Sequence, residues 1–210
     1  MKQFGGQKIL ELLKRKVVSS VVEVVLFSVI PFIWWLVTAR KTQKFGAWLG
    51  LKKPEGGMKT VVATLCVAIA FLLLGAYSLY IVKGIETATS DFTGLGAAAI
   101  PAILVYAAFN TALPEEILFR GFLLKRLQNK FGFAFGNTVQ ALIFGVIHAV
   151  MFFSLVGTVK AAIILAFTTA IAWFMGYINE KKANGSILPS WTVHAIANIF
   201  SGLCAAFMIF

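Results

Sequence analysis

The stretch AAAIPAILVYAAFNTALPEEILFRGF, residues 97–122, is apolar enough to cross a bilayer as a helix, yet it carries two adjacent carboxylates and an arginine. About 20 predominantly apolar residues cover the ~30 Å hydrocarbon core at 1.5 Å per residue. Burying an ionised carboxylate in such a medium is costly unless the charge is paired. An acid retained there has either a structural partner or a chemical role.

Working outward, the rest of the chain has the same character. Of its 210 residues, 60% are hydrophobic and only 13% charged, and the mean hydropathy is +0.88. Six spans are expected, near 17–39, 60–82, 97–122, 139–157, 159–178 and 189–210. The fold class is therefore all-α, a polytopic transmembrane helical bundle, with no internal repeat and no low-complexity segment. Residues 1–59 form a basic N-terminal segment, a first apolar span and a basic linker; residues 60–210 hold the other spans. The first apolar run begins at Val17, is too long for a signal peptide and lacks a small-residue cleavage pattern, so it is expected to be retained.

A formal net charge of +11 could indicate nucleic acid. The basic residues sit between apolar spans and form no aromatic-laced stripe, so no nucleic-acid partner is expected. They read as topology signals. Arg40, Lys41, Lys44, Lys52, Lys53 and Lys59 lie in the linker 40–59, Lys125, Arg126 and Lys130 after the third span, and Lys181 and Lys182 after the fifth. Placing these in the cytoplasm makes spans two to six alternate. The first span spoils the pattern, because Lys2, Lys8, Lys14, Arg15 and Lys16 precede it. Either the N-terminus is outside against its charge, or Pro31 bends the run so that it never crosses. Cys66 and Cys204 lie in apolar runs without a CxxC partner and are assigned to packing. Trp34, Trp35, Trp173, Tyr177 and Trp191 read as interface anchors.

Within the opening stretch, Glu116 and Arg120 are four apart and share a helical face, in the order that favours an ion pair. Glu115 is rotated by about 100° and has no cation at that spacing, since position 119 is Phe. Both histidines of the chain also fall in apolar spans, His148 in FGVIH and His194 in HAIAN. If spans three and four form a hairpin around NKFGFAFG, residues 129–136, Glu115 and His148 are level. The last span enters after Pro189 from the same side, with His194 and Asn198 on one face. Glu115, His148, His194 and Asn198 can then converge in a cavity expected to open toward the cytoplasm.

The three motifs, EExxxR at Glu115, Glu116 and Arg120, FxxxH at Phe144 and His148, and HxxxN at His194 and Asn198, resemble the CAAX protease and bacteriocin-processing family of intramembrane endopeptidases, which includes the Ras-converting CAAX endopeptidase. WLGLKKP at 48–54 resembles a segment common in its prokaryotic members. The resemblance implies an intramembrane catalytic core within residues 60–210. In it, Glu115 and His148 would activate water, and His194 and Asn198 would stabilise the oxyanion. Glu116 and Arg120 would form a structural pair, and Phe144 would pack beneath the His148 imidazole. A cavity in the cytoplasmic half suits a peptide or membrane-tethered protein as substrate, and the small size and short loops point to a prokaryotic cell membrane.

Other readings remain. Glu115 with two histidines could form a zinc site; HExxH is absent, the ligands come from different helices, and the resemblance implies a metal-independent mechanism, so no cofactor is expected. A non-catalytic immunity or regulatory protein could bind a peptide in the same cavity. An ion pathway would use the same buried acids, but spans two and five contribute no acid or histidine; Glu23 in the first span reads as paired or interfacial.

Overall fold

The computed structural model describes residues 2–209, so Met1 and Phe210, the outermost residues of the N-terminal segment and of the last expected span, lie outside the described residues. All regular elements among the described residues are helical. Four segments are long and apolar enough to cross a membrane: Gly6–Thr38, Gly57–Ile81, Gly96–Phe131 and Phe133–Lys182. They belong to or form α1 (Lys2–Thr38), α3 (Gly57–Ile81), α4 (Gly96–Phe131) and a helical hairpin; α2 (Phe45–Leu49) is a short helix after α1. The hairpin reverses at Gly157, whose φ of 76° and ψ of 173° are accessible to a residue without Cβ. Its arms are α5 (133–156) and α6 (158–182), and α7 (Leu188–Ala206) completes six long helices.

Buried polar clamps hold the hairpin arms together. The Asn137 amide donates to the Trp173 carbonyl at 2.9 Å and the Gln140 amide to the Ala172 carbonyl at 3.2 Å. Between α4 and α5 the turn is a single residue, Gly132, at φ 86°. This turn lies inside the 129–136 segment expected to reverse the chain, and α4 and α5 pack antiparallel from it, with Gly136 against Gln128.

The opening stretch is one continuous helix that runs through Pro114. Pro114 has no N–H to donate, and the turns on either side of it, Tyr106–Ala112 and Ile117–Leu124, are wound as π-helix. Leu113 N–H accordingly donates to the carbonyl of Ala108, five residues back. Wide turns of this kind absorb an extra residue without breaking the helix and concentrate at functional sites.

α1 settles the question of the first span. It continues through Pro31, and its two halves contact opposite ends of the bundle. Lys16 and Arg15 bind Asp91 in the loop before α4 at 2.8 and 3.0 Å. Far along α1, Trp34 packs edge-on to Phe122 at 5.7 Å and the Trp35 indole donates to the Gln43 carbonyl. The N-terminal basic cluster is thus at the end opposite the linker 40–59.

Polarity runs inside out relative to a soluble domain. Val18, Val21, Val25, Leu65, Leu73 and Val150 are exposed, whereas Glu116, Arg120, Asn137, Gln140, Asn179 and Ser190 are buried. Lipid offers apolar side chains no penalty for exposure, so interior specificity comes from hydrogen bonds and close packing. The chain is an integral membrane protein. Cys204 is buried as expected, but Cys66 is exposed on α3 among lipid-facing residues.

Candidate active site

Glu116 is the centre of a dry polar knot. Its carboxylate lies 3.1 Å from Arg120 Nη1, and both side chains are fully buried. The Ser190 hydroxyl donates to its other oxygen, while Asn179 donates to that hydroxyl at 2.6 Å and accepts the Ser190 N–H at 3.2 Å. His194 Nδ1–H donates to Glu116 Oε1 at 3.1 Å. The sequence paired Glu116 with Arg120 alone; the helix start of α7 brings Ser190 and His194 onto the same carboxylate.

The guanidinium of Arg120 also stacks over the Phe144 ring, 4.4 Å from its centroid. The other neighbour of that ring is His148, with centroids 4.3 Å apart. Phe144 therefore links the knot to the second histidine. His148 Nδ1 sits 2.8 Å from the Phe144 carbonyl. A carbonyl only accepts, so Nδ1 carries the hydrogen and Nε2 is left with the lone pair.

Glu115 is placed differently. Its Oε2 is 3.8 Å from His194 Nε2, has no hydrogen-bond partner among the described residues, and belongs to a side chain that is 23% exposed. The His194 ring thus lies between the two carboxylates. With Nδ1 donating to Glu116, Nε2 is a donor only when the ring carries its second proton. Asn198, one turn along α7, donates to Thr111 Oγ1 at 2.6 Å. Thr111 is held in turn within the first π-wound segment, pointing at the Tyr106 carbonyl.

Two cavities meet these groups. One, of about 560 Å³, runs between α1 and α4 and is lined by Glu115, Tyr106, Asn110, Glu23, Lys16 and Asp91 among others. The other, of about 220 Å³, lies between α3, α6 and α7 and has His148, His194 and Asn198 in its wall. The expected opening was toward the basic linkers. The cavity beside Glu115 instead extends to the loop carrying Glu86 and Asp91, at the opposite end. Packing explains this: Trp34, Trp48 and Phe122 fill the space between α1 and α4 at the basic end, with centroids 5.7 and 6.1 Å apart. Small polar groups, such as Ser19 bonded to Asn110 at 3.1 Å, leave room at the other. Glu23 lines this cavity without an ion pair among the described residues.

Residues 97–200 match the family model described as type II CAAX prenyl endopeptidase Rce1-like. The chain carries an Rce1-like domain. Comparison with curated proteins and with solved structures gives no match. The match bears out the resemblance to CAAX proteases. The Rce1-like domain contains Glu115, Glu116, Arg120, Phe144, His148, His194 and Asn198, while α1 and α3 pack against it from outside the matched range.

Several participants in the Rce1-like domain carried no signal in the sequence. Ser190 and Asn179 complete the Glu116 knot, Thr111 orients Asn198, and Tyr106 lines the Glu115 cavity. Trp191, read as an interface anchor, instead sends its indole N–H to the Ala108 carbonyl at 2.7 Å. That carbonyl, in the π-wound stretch of α4, also accepts the Leu113 N–H. Among the described residues no group of three or more His, Cys, Asp or Glu side chains is arranged to hold a metal ion.

Proposed function

We propose that the protein is an intramembrane endopeptidase that hydrolyses a peptide bond of a membrane-associated peptide or protein by glutamate-activated water. The observation that carries this reading is the His194 ring set between two carboxylates, 3.1 Å from Glu116 and 3.8 Å from Glu115, of which only Glu116 is paired with a cation. Glu115, with His148 Nε2 as the second acceptor, holds the attacking water. As its oxygen adds to the scissile carbonyl, Glu115 takes a proton. The tetrahedral oxyanion is stabilised by the Asn198 amide and by Nε2–H of the doubly protonated His194 ring, each donor contributing about 3–4 kcal/mol. Glu115 then passes its proton to the leaving nitrogen, the C–N bond breaks, and an acid and an amine are released.

Glu116 is a positioning residue in this scheme. A fixed carboxylate on Nδ1 sets the orientation of the imidazole, and Arg120 and Ser190 fix the carboxylate. The reaction is metal-independent in this proposal. By the distribution of basic residues, the linker 40–59 and the segments 125–130 and 179–184 face the cytoplasm, and water reaches Glu115 through the cavity at the other end.

Comparison of membrane peptides from cells carrying the wild type and Glu115→Gln tests this. The substitution keeps shape and removes the charge, and cleavage is expected to fall by roughly 100-fold or more. Unchanged peptide profiles would refute a catalytic Glu115. Strong chelators are expected to leave cleavage intact, and activity lost to a chelator and restored by zinc would overturn the metal-free mechanism.

A further inference from the structure

The smaller cavity is mostly apolar; apart from His148, His194 and Asn198, its polar lining is Ser78, Thr168 and Ser201. His148 and Asn198 form one wall; Phe71 and Gly75 of α3 and Phe167 and Ile171 of α6 form the other. Phe71 and Phe167 meet edge to face at 5.5 Å, which fixes the shape of that wall. The Thr168 hydroxyl is turned back onto the Ile164 carbonyl at 2.6 Å and so offers the cavity no free donor.

We infer that this cavity is the subsite for one large apolar side chain, aromatic or aliphatic, on the residue beside the scissile bond, and that Gly75 sets its size. The inference rests on the endopeptidase reading for the identity of the occupant. Volume decides what fits. The cavity holds about 220 Å³, roughly seven waters at ~30 Å³ each, and is smaller than the roughly 300–1,000 Å³ pockets that bury a drug-sized ligand. That space suits a single side chain and not a peptide segment or a long lipid chain. Because His148 and Asn198 are in its wall, a side chain seated there holds its own backbone carbonyl at the site of water attack. Filling the cavity with apolar atoms also excludes bulk water from the part of His148 that lines it.

Gly75 is the position where the cavity can be altered without disturbing the helix. It lines the void, and a Cβ built there meets no heavy atom within 4 Å. A leucine at 75 therefore projects into empty space and occupies the subsite itself.

Two measurements on the full chain in lipid nanodiscs test the proposal. In the first, a randomised peptide library is digested and the cut sites are sequenced by mass spectrometry. Wild-type cuts are expected to be enriched for Phe, Leu, Met or Tyr on one side of the bond. With Gly75→Leu, the preference shifts to Ala, Ser or Gly, with roughly tenfold loss for the large residues. The second measures binding of N-acetyl-phenylalaninamide and N-acetyl-alaninamide by saturation-transfer NMR, which needs no turnover. The Phe amide is expected to bind the wild type in preference to the Ala amide, and Gly75→Leu to abolish the difference while leaving thermal stability intact. Equal binding of the two amides, or binding unaffected by Gly75→Leu, overturns the subsite whatever the enzyme does. Selective binding with no library cleavage by the wild type would leave the subsite standing and refute the endopeptidase reading.

Discussion

Around Glu116, every oxygen has a donor, every neighbour is buried, and the Arg120 charge is balanced within 3.1 Å. Around Glu115, one residue earlier on the same helix, there is an oxygen without a hydrogen bond and an open cavity of about 560 Å³. A rotation of about 100° about the α4 axis separates the two surroundings. Burial with both carboxylate oxygens satisfied produces a rigid scaffold. Partial burial beside accessible space leaves a carboxylate without that support. The adjacent acids of EExxxR are therefore not redundant, and each makes sense only with the other: Glu116 holds the imidazole that Glu115 faces.

Substitutions can break the dry side of this comparison. Arg120→Met leaves the buried Glu116 charge without its cation and is expected to cost about 3–5 kcal/mol, seen as a large drop in thermal unfolding temperature in detergent. Glu116→Gln in the same background should recover part of that loss. Ser190→Ala removes one donor from the same carboxylate and an acceptor from Asn179, with an expected cost of about 1–3 kcal/mol. If Ser190→Ala were as stable as wild type, the knot would not be the scaffold described.

Chemical access sharpens the other side. In a chain with Cys66 and Cys204 replaced by alanine, a cysteine introduced by Asn110→Cys, in the wall of the Glu115 cavity, should react with a charged methanethiosulfonate. One introduced by Ser190→Cys should not. Equal reactivity would erase the distinction between the wet and dry carboxylates.

The smallest effect is expected at the cavity mouth. The hydrogen bond from Lys16, with Arg15 beside it, holds the Asp91 carboxyl below its ordinary value. A depressed carboxyl stabilises the fold at pH above the unfolded value of ~3.9 and loses that contribution as pH falls through the folded value. Asp91→Asn should therefore cost under ~1 kcal/mol near neutrality, and the difference from wild type should vanish in strong acid. A difference that persists below both values would mean that Asp91 acts through packing.

The sequence resolved what depends on periodicity and composition. Six apolar runs with basic linkers specify the bundle, and the i, i+4 spacing of Glu116 and Arg120 specifies their pairing. It did not resolve α1, because basic residues on both sides of that run cancel the topology signal; the Lys16–Asp91 contact decides it. Nor did it single out Ser190, Asn179 or Thr111. Such residues occur in every polar turn, and only the approach of α7 to α4 gives these three a carboxylate or an amide to hold. The direction of the Glu115 cavity was hidden for a similar reason, since it depends on which end of the α1–α4 interface the aromatic rings fill.

The π-wound turns of α4 make chain length itself part of the site. Each wide turn accommodates one residue more than an α-helix would, and Leu113–Glu116 lies between two of them. Deleting any residue from 106–112 would let the backbone relax to ordinary α-helix and rotate the N-terminal part of α4 by about 100° relative to its C-terminal part. Tyr106 and Glu115 could then no longer share a cavity, although no chemically important side chain had been removed. Within the Rce1-like domain this segment should therefore tolerate changes of residue far better than changes of number.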